Sequence, residues 1–235
     1  MISISEGGAK IRVPSGQVFY NPAQCVNRDL SVLAINSYLK SQKKKDVNLL
    51  EALSATGLRS IRYFKELDKN YNINIIANDI DPRAVELIKS NLDLNEISTK
   101  VLVSCNDANY FIHTLSKEEK KQDIIDLDPY GSASPFLESS LQNISDGGML
   151  CVTCTDMAVL CASYPESCFS KYSSIPFKGE ICHEMALRIL LSCIERTANK
   201  FKKYIVPMIS CSIDFYIRVF VKVHYSPSQA KESVR

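Results

Sequence analysis

Five apolar runs rich in β-branched residues, each followed by a stretch of different periodicity, limit this chain to an alternating α/β architecture. The runs lie at residues 47–53, 73–78, 100–105, 123–127 and 149–155. Gly57 opens a helix through Leu58, Ile61, Phe64 and Leu67, and Pro82 sits in the first turn of another that reaches about Asn91. A short helix starts at Ala108 and an amphipathic one spans 134–144. Strands that alternate with helices pair in parallel, because each crossover returns the chain to the same end of the sheet. Upstream, residues 13–20 alternate as an extended segment, and 22–42 carry helical periodicity up to Lys43-Lys44-Lys45. Downstream come a long loop at 156–179, a helix at 181–200, and two β-rich runs at 204–212 and 215–224. The short Ile213-Asp214 connection makes that last pair antiparallel. The expectation is an α/β fold with a mostly parallel, doubly wound sheet and a C-terminal antiparallel hairpin.

Composition sets the bounds of this reading. With 235 residues, 46% of them hydrophobic and 23% charged, the chain has enough apolar material for one large domain, expected over residues 1–225. Residues 226–235 are polar and aperiodic, and read as a disordered tail or a truncated linker. No apolar run approaches the roughly 20 residues of a membrane span, and the first residues lack the pattern of a signal peptide. The nine cysteines are odd in number and lie mostly in apolar runs, which fits reduced thiols in an intracellular protein. Nucleus, cytoplasm and mitochondrion are all compatible with that. The net charge is only +2, but Lys171, Lys178, Arg188, Arg196, Lys200, Lys202 and Lys203 thicken the basic content late in the chain. They form either a local surface for a polyanion or ordinary solvated helix faces.

The most informative segment is Asp128-Pro129-Tyr130-Gly131, which ends the apolar run at 123–127. Open α/β sheets place their ligands at the carboxyl ends of strands. There the Tyr130 ring can stack on a flat base, while the Asp128 carboxylate and the Pro129 carbonyl accept hydrogen bonds from an exocyclic amine. Acceptors so aimed make a delocalised amine electron-rich enough to attack an activated methyl group. An ordinary strand-ending Asp-Pro turn is the alternative reading.

Glu51-Ala52-Leu53-Ser54-Ala55-Thr56-Gly57 joins a strand to a helix through small residues, a degraded form of a glycine-rich ligand loop. Glu51 lies beneath that loop and either orients it or touches a ligand. Asp79 ends the next strand, where acidic side chains commonly hold ribose hydroxyls. Asp107 and the backbone of Ala108 end the third, placed for an adenine amine. Acids at successive strand tips with no phosphate loop fit S-adenosyl-L-methionine better than a dinucleotide. Each acid taken singly reads equally well as a helix N-cap.

These motifs resemble those of the tRNA guanine-26 N2-dimethyltransferase family, and the likeness extends over residues 6–224. It is carried by Glu6-Gly-Gly-Ala-Lys-Ile, Val18-Phe-Tyr-Asn-Pro, Asn27-Arg-Asp, Leu53-Ser-Ala-Thr-Gly-Leu-Arg, Asn78-Asp and Asn106-Asp-Ala. Asp126-Leu-Asp-Pro-Tyr-Gly, Thr155-Asp-Met-Ala-Val-Leu-Cys and His183-Glu-Met-Ala-Leu-Arg-Ile-Leu-Leu continue it in order. The resemblance implies a Rossmann-like methyltransferase fold, S-adenosyl-L-methionine as cofactor and tRNA as partner, with no membrane attachment and a monomer compatible with the sequence. It implies that Arg28, Arg59, Asp79, Asp107 and Ala108 contact the cofactor. Arg28 and Arg59 suit the methionyl carboxylate, although Arg28 equally suits a surface ion pair. The resemblance also implies that Asp128 is the catalytic carboxylate and that Phe19 and Tyr130 sandwich the target guanine, although Phe19 also reads as plain core. Members of the family continue into a C-terminal domain that helps grip the tRNA, whereas this sequence stops at Arg235.

No metal site is expected. Cys151-Val-Thr-Cys154, with Cys161 and Cys168, has the composition of a zinc set, but within a strand the first pair points to opposite faces. His183-Glu184 begins like a zinc-protease helix, yet position 187 is Leu. Two other functions are compatible with the same motifs. One is methylation of adenine or cytosine amines on other nucleic acids; the other is a non-catalytic RNA-binding relative.

Overall fold

Parallel strands form at the apolar-rich runs of the sequence, two of them interrupted by asparagine. The computed structural model describes residues 1–14 and 20–233, in two compact units. The first unit comprises Met1–Phe111 and Ile124–Asp126. It opens on a hairpin of β1 (Ile2–Glu6) and β2 (Ala9–Val13), with Glu6 opposite Ala9 across Gly7-Gly8. The sequence reading gave this segment no strands, although Ala9, Ile11 and Val13 are buried at alternate positions as a half-buried strand requires. A 3-10 turn, Pro22–Gln24, leads into α1 (Cys25–Lys40). There follow β3 (Asp46–Glu51), α2 (Leu58–Glu66), β4 (Asn72–Asp79), α3 (Pro82–Leu94) and β5 (Val101–Cys105). α4 (Ala108–Lys117) begins in this unit, and β6 (Ile124–Leu127) contributes its first three residues.

Strand order in the first unit is β5-β4-β3-β6, all parallel. The chain steps outward from β3 through β4 to β5, then returns to the other side of β3 with β6. The order therefore reverses between β3 and β6, and the crevice outside such a switch point is where doubly wound sheets bind ligands. Leu49, Leu50, Ile124 and Ile125 pair across that junction with no exposed surface. Burying each contributes about 1.5–3 kcal/mol, so the switch point is firmly anchored.

The second unit comprises Ile112–Asp123 and Leu127–Arg235. After α5 (Ser134–Asn143) it holds β7 (Gly148–Cys154), α6 (Met157–Leu160), α7 (Pro165–Tyr172), α8 (Cys182–Asn199), β8 (Lys203–Ile213), β9 (Tyr216–Tyr225) and α9 (Pro227–Glu232). Strand order is β7-β9-β8, all antiparallel, so the expected terminal hairpin is present. Pro207 lies in β8, at the edge, beside a register shift, where a missing N–H costs no ladder bond. Fully buried Arg218 is tolerated because Thr153 Oγ1 accepts its Nη1 at 2.9 Å and the Phe220 ring lies 4.8 Å away.

Two segments differ from expectation. The loop at 156–179 contains α6 and α7, and the polar tail contains α9, capped by Ser226 accepting from the Gln229 N–H. Helices of one or two turns carry too few residues to show a period, so only their N-terminal prolines could have marked α7 and α9. No helix among the described residues is long and apolar enough to cross a membrane.

Candidate active site

In the first unit, three strand ends are tied together by side chains. Glu51, the last residue of β3, is buried and accepts hydrogen bonds from Ser60 N (3.0 Å) and Ser60 Oγ (2.5 Å) in the first turn of α2. It thus satisfies one of the donors that a helix start leaves unpaired. Burial pushes its carboxyl up, Ser60 and Arg59 pull it down and Asp126 pushes again, leaving it at about 8. Between Glu51 and α2 the backbone turns left-handed at Ala55 (φ 49) and Gly57 (φ 74). A Cβ on Gly57 would meet Ile88 Cγ2 at 3.1 Å, so φ and space both favour glycine here.

Asp79, ending β4, accepts from Ala55 N at 2.8 Å and from Asp81 N at 2.9 Å, one bond to each carboxylate oxygen. It locks the β3–α2 loop to the loop after its own strand. Asn78 donates to Ala52 O and Asn106 O, both at 3.0 Å, which joins the ends of β3, β4 and β5. Those two carbonyls fix the orientation of its amide, and its buried Oδ1 has no partner in the protein. Asp107 accepts from Tyr110 N at 2.9 Å, so the N-cap reading holds for it, and buried Ala108 starts α4.

The two arginines expected at the cofactor have protein partners. Arg28 meets Glu6 through Nε (2.6 Å) and Nη2 (2.5 Å), with the Tyr20 ring 5.2 Å from its guanidinium carbon. Arg62 Nη1 reaches Glu6 at 2.9 Å. Burial pushes the Glu6 carboxyl up, but Arg28 and Arg62 outweigh it and hold the group below the usual carboxylate range. Arg59 donates from Nη1 to Ser31 Oγ at 3.1 Å and lies 4.0 Å from buried Asp126, which also accepts from Tyr63 Oη. Glu6, Asp126 and Asn78 are polar groups whose structural roles the sequence reading missed. For Asp126 the signal was available, since an acid inside the run Ile124–Leu127 needs a buried partner.

In the second unit, Asp128 is half-buried, Pro129 is buried and Tyr130 is 80% exposed. Gly131 has φ 75, and an added Cβ would meet nothing, so backbone conformation alone calls for glycine. Its N–H donates to Thr155 Oγ1 at 2.7 Å and its carbonyl accepts from Thr155 N at 2.8 Å. This reciprocal pair clips the turn to the residue that follows β7. The next residue, Asp156, accepts from Tyr172 Oη at 2.7 Å and pairs with Lys171 at 3.1 Å. Phe19 lies outside the described residues.

Residues 2–235 match the model of the family described as N2,N2-dimethylguanosine tRNA methyltransferase. The chain belongs to this family. It is 42% identical, over an alignment of 270 positions, to the tRNA (guanine(26)-N(2))-dimethyltransferase of Drosophila melanogaster, covering 98% of this chain and 46% of that protein. Against tRNA (guanine(26)-N(2))-dimethyltransferase 1 of Arabidopsis thaliana it is 48% identical over 189 positions, covering 80% and 31%. A solved structure of Trm1 from Pyrococcus horikoshii with S-adenosyl-L-methionine is 34% identical and has a TM-score of 0.90, covering all of this chain and 64% of that one. The chain spans about half the length, or less, of the curated relatives it matches. The α/β, Rossmann-like architecture expected of this methyltransferase family is the fold found.

Proposed function

We propose that this chain transfers methyl groups from S-adenosyl-L-methionine to the exocyclic N2 amine of a guanine in tRNA, at position 26, giving N2,N2-dimethylguanosine. The observation that carries the reading is the turn after β6, with Asp128 half-buried, Pro129 buried beneath it and the Tyr130 ring turned out to solvent. The methyltransferase domain is taken as residues 1–225, and a tRNA substrate implies an intracellular protein.

The first unit fits the cofactor. Buried Asn78 Oδ1 is an acceptor with no protein partner, and the left-handed loop at Ala55 and Gly57 brings backbone close to the switch point. A carboxylate has about four lone-pair sites, so Asp79 keeps acceptor capacity for ribose hydroxyls after taking two backbone N–H groups. Asp107 and the first-turn N–H of Ala108 suit an adenine edge, and Arg28 and Arg59 are assigned to the methionyl carboxylate although each already shares its charge with a protein acid, Glu6 and Asp126. Glu51 stays beneath the loop as its orienting group. S-adenosyl-L-methionine, when bound, supplies a methyl group on a positively charged sulfur.

The remaining work falls to Asp128, Pro129, Tyr130 and Phe19. Tyr130 offers an aromatic face to a base that has left its stack, and Phe19 is assigned the opposite face. Asp128 and the Pro129 carbonyl accept hydrogen bonds from the N2 hydrogens, which fixes the amine and raises electron density on its nitrogen. As the new N–C bond forms, the displaced N2 proton passes to a carboxylate oxygen of Asp128 or to a water beside it. Nucleoside mass spectrometry of an unmodified tRNA transcript, incubated with the protein and cofactor, tests the reading. Mono- and dimethylated guanosine at position 26 are expected. Methylated adenine or cytosine, or no product from folded, cofactor-binding protein, would overturn it.

A further inference from the structure

Cys161, Cys182 and His183 come together in the second unit, although the whole of α7 separates the first from the others in sequence. One ligand atom from each, two Sγ and one imidazole nitrogen, lies within 4.8 Å of the other two. We infer that these residues form a zinc site of the two-thiolate, one-imidazole type, with a fourth position open to water.

Backbone geometry presents the set. Cys161 closes α6, its N–H donating to Met157 O at 2.7 Å, and the chain then turns left-handed at Ala162 (φ 74). Such a φ is strained for a residue with a Cβ and persists where the surroundings demand it. Cys182 and His183 are the first two residues of α8, and Cys182 N–H donates to Gly179 O at 3.1 Å. Both cysteines are half-buried and His183 is exposed, so the cluster is reachable from solvent without unfolding.

The chemistry of the donors selects the ion. Two sulfurs and an imidazole are soft to borderline ligands, which favour zinc and disfavour magnesium or calcium. Tetrahedral zinc holds such ligands about 3.3–3.8 Å apart, so rotamer adjustments of about 1 Å complete the set. Two thiolates neutralise the ion, and the positive end of α8 stabilises their charge. Burial and the neighbouring Cys182 thiol push Cys161 up to about 11 when no ion is bound. Binding therefore replaces each S–H bond by a sulfur–zinc bond and releases one proton per thiol to solvent. The bound ion would clamp the end of α6 to the start of α8 and so fix the segment that carries α7. None of the three residues is used in the proposed methyl transfer.

Cobalt titration of the reduced, metal-stripped protein tests the inference without reference to methyl transfer. One equivalent of Co2+ should bind with a near-ultraviolet thiolate-to-cobalt charge-transfer band, and Zn2+ should displace it. Cys161→Ser and Cys182→Ser should each remove the band or weaken binding at least tenfold. His183→Ala should retain the band with weaker affinity, and Cys105→Ser, an exposed control, should behave as wild type. Should Cys182→Ser fail to fold, the half-exposed Cys161 variant and the wild-type stoichiometry carry the decision. Absence of a thiolate band while thiol counting shows both cysteines reduced would overturn the site. A Cys161–Cys182 disulfide in protein purified under reductant would overturn it too.

Discussion

Two regions of this molecule set acidic side chains at strand ends in different surroundings. In the first unit, Glu51, Asp79 and Asp107 all accept backbone N–H groups of the loops or helices that follow them. Asp126 is wholly interior, held by Tyr63 and faced by Arg59. In the second unit, Gly131 and Thr155 exchange two hydrogen bonds that hold the backbone of the turn carrying Asp128, and Pro129 is buried. A carboxylate that holds a loop must be present for the loop to have its shape. One on a turn whose backbone is also held by a neighbouring residue should cost less architecture when it is removed. Loss of stability and loss of chemistry should therefore separate between the regions.

The largest separation is expected for Asp128→Ala. Methyl transfer should fall by about 10²–10⁴-fold, the range of a positioned acid–base group, with a smaller loss of stability than Asp126→Ala causes. Retained turnover in a folded variant would break the contrast. Asp126→Ala should do the reverse and destabilise the protein by on the order of 3 kcal/mol in urea unfolding, because Arg59 and the Tyr63 hydroxyl lose a buried partner. A variant as stable as wild type would show that this acid is not structural. Tyr130→Ala comes next. Removing a ring that is 80% exposed should leave stability alone, while kcat/KM for tRNA drops by roughly 10- to 100-fold, the value of one base stack.

A pH profile sets the two units against each other without any substitution. Glu51 has its carboxyl raised from 4.5 to about 8, so between those values the folded state keeps a proton that the unfolded state has lost. Stability then falls as pH rises, by up to ~1.4 kcal/mol per pH unit, and this contribution is flat below 4.5 and above 8. Lys203, in the second unit, donates to Leu141 O and Ile144 O, and burial lowers it from 10.5 to about 8. Between 8 and 10.5 the unfolded state holds the extra proton, so stability rises with pH. Thermal melts should therefore show a minimum near pH 8. Glu51→Gln should flatten the acid side and Lys203→Met the alkaline side; a wild-type profile without a minimum would refute both assignments.

Much of the architecture could be read before any coordinates. The strands that became β3 to β7 lie within two residues of their expected bounds at either end, because each is an apolar-rich run followed by a change of periodicity. The β1–β2 hairpin escaped notice because Ile2 is exposed and its alternation spans only five residues per strand. The site was legible in part. Asp79 and Asp107 stand at strand tips as expected, but nothing local reveals that Ala55, Asp81 and Tyr110 supply N–H groups to them. Arg28 was matched to a ligand carboxylate from its motif, whereas Glu6 of the hairpin provides a protein carboxylate for the same guanidinium. Sequence spacing groups Cys161 with Cys151, Cys154 and Cys168, whereas in the fold it meets Cys182 and His183.

Sequence by itself determined the alternating fold, the acids at its strand tips and the Asp128-Pro129-Tyr130-Gly131 turn, because periodicity and turn chemistry are properties of neighbouring residues. Tertiary structure alone decided which acids hold loops, which arginines already have partners and which thiols meet. Those outcomes depend on distances of a few ångströms between residues far apart in the chain, and no local pattern encodes them.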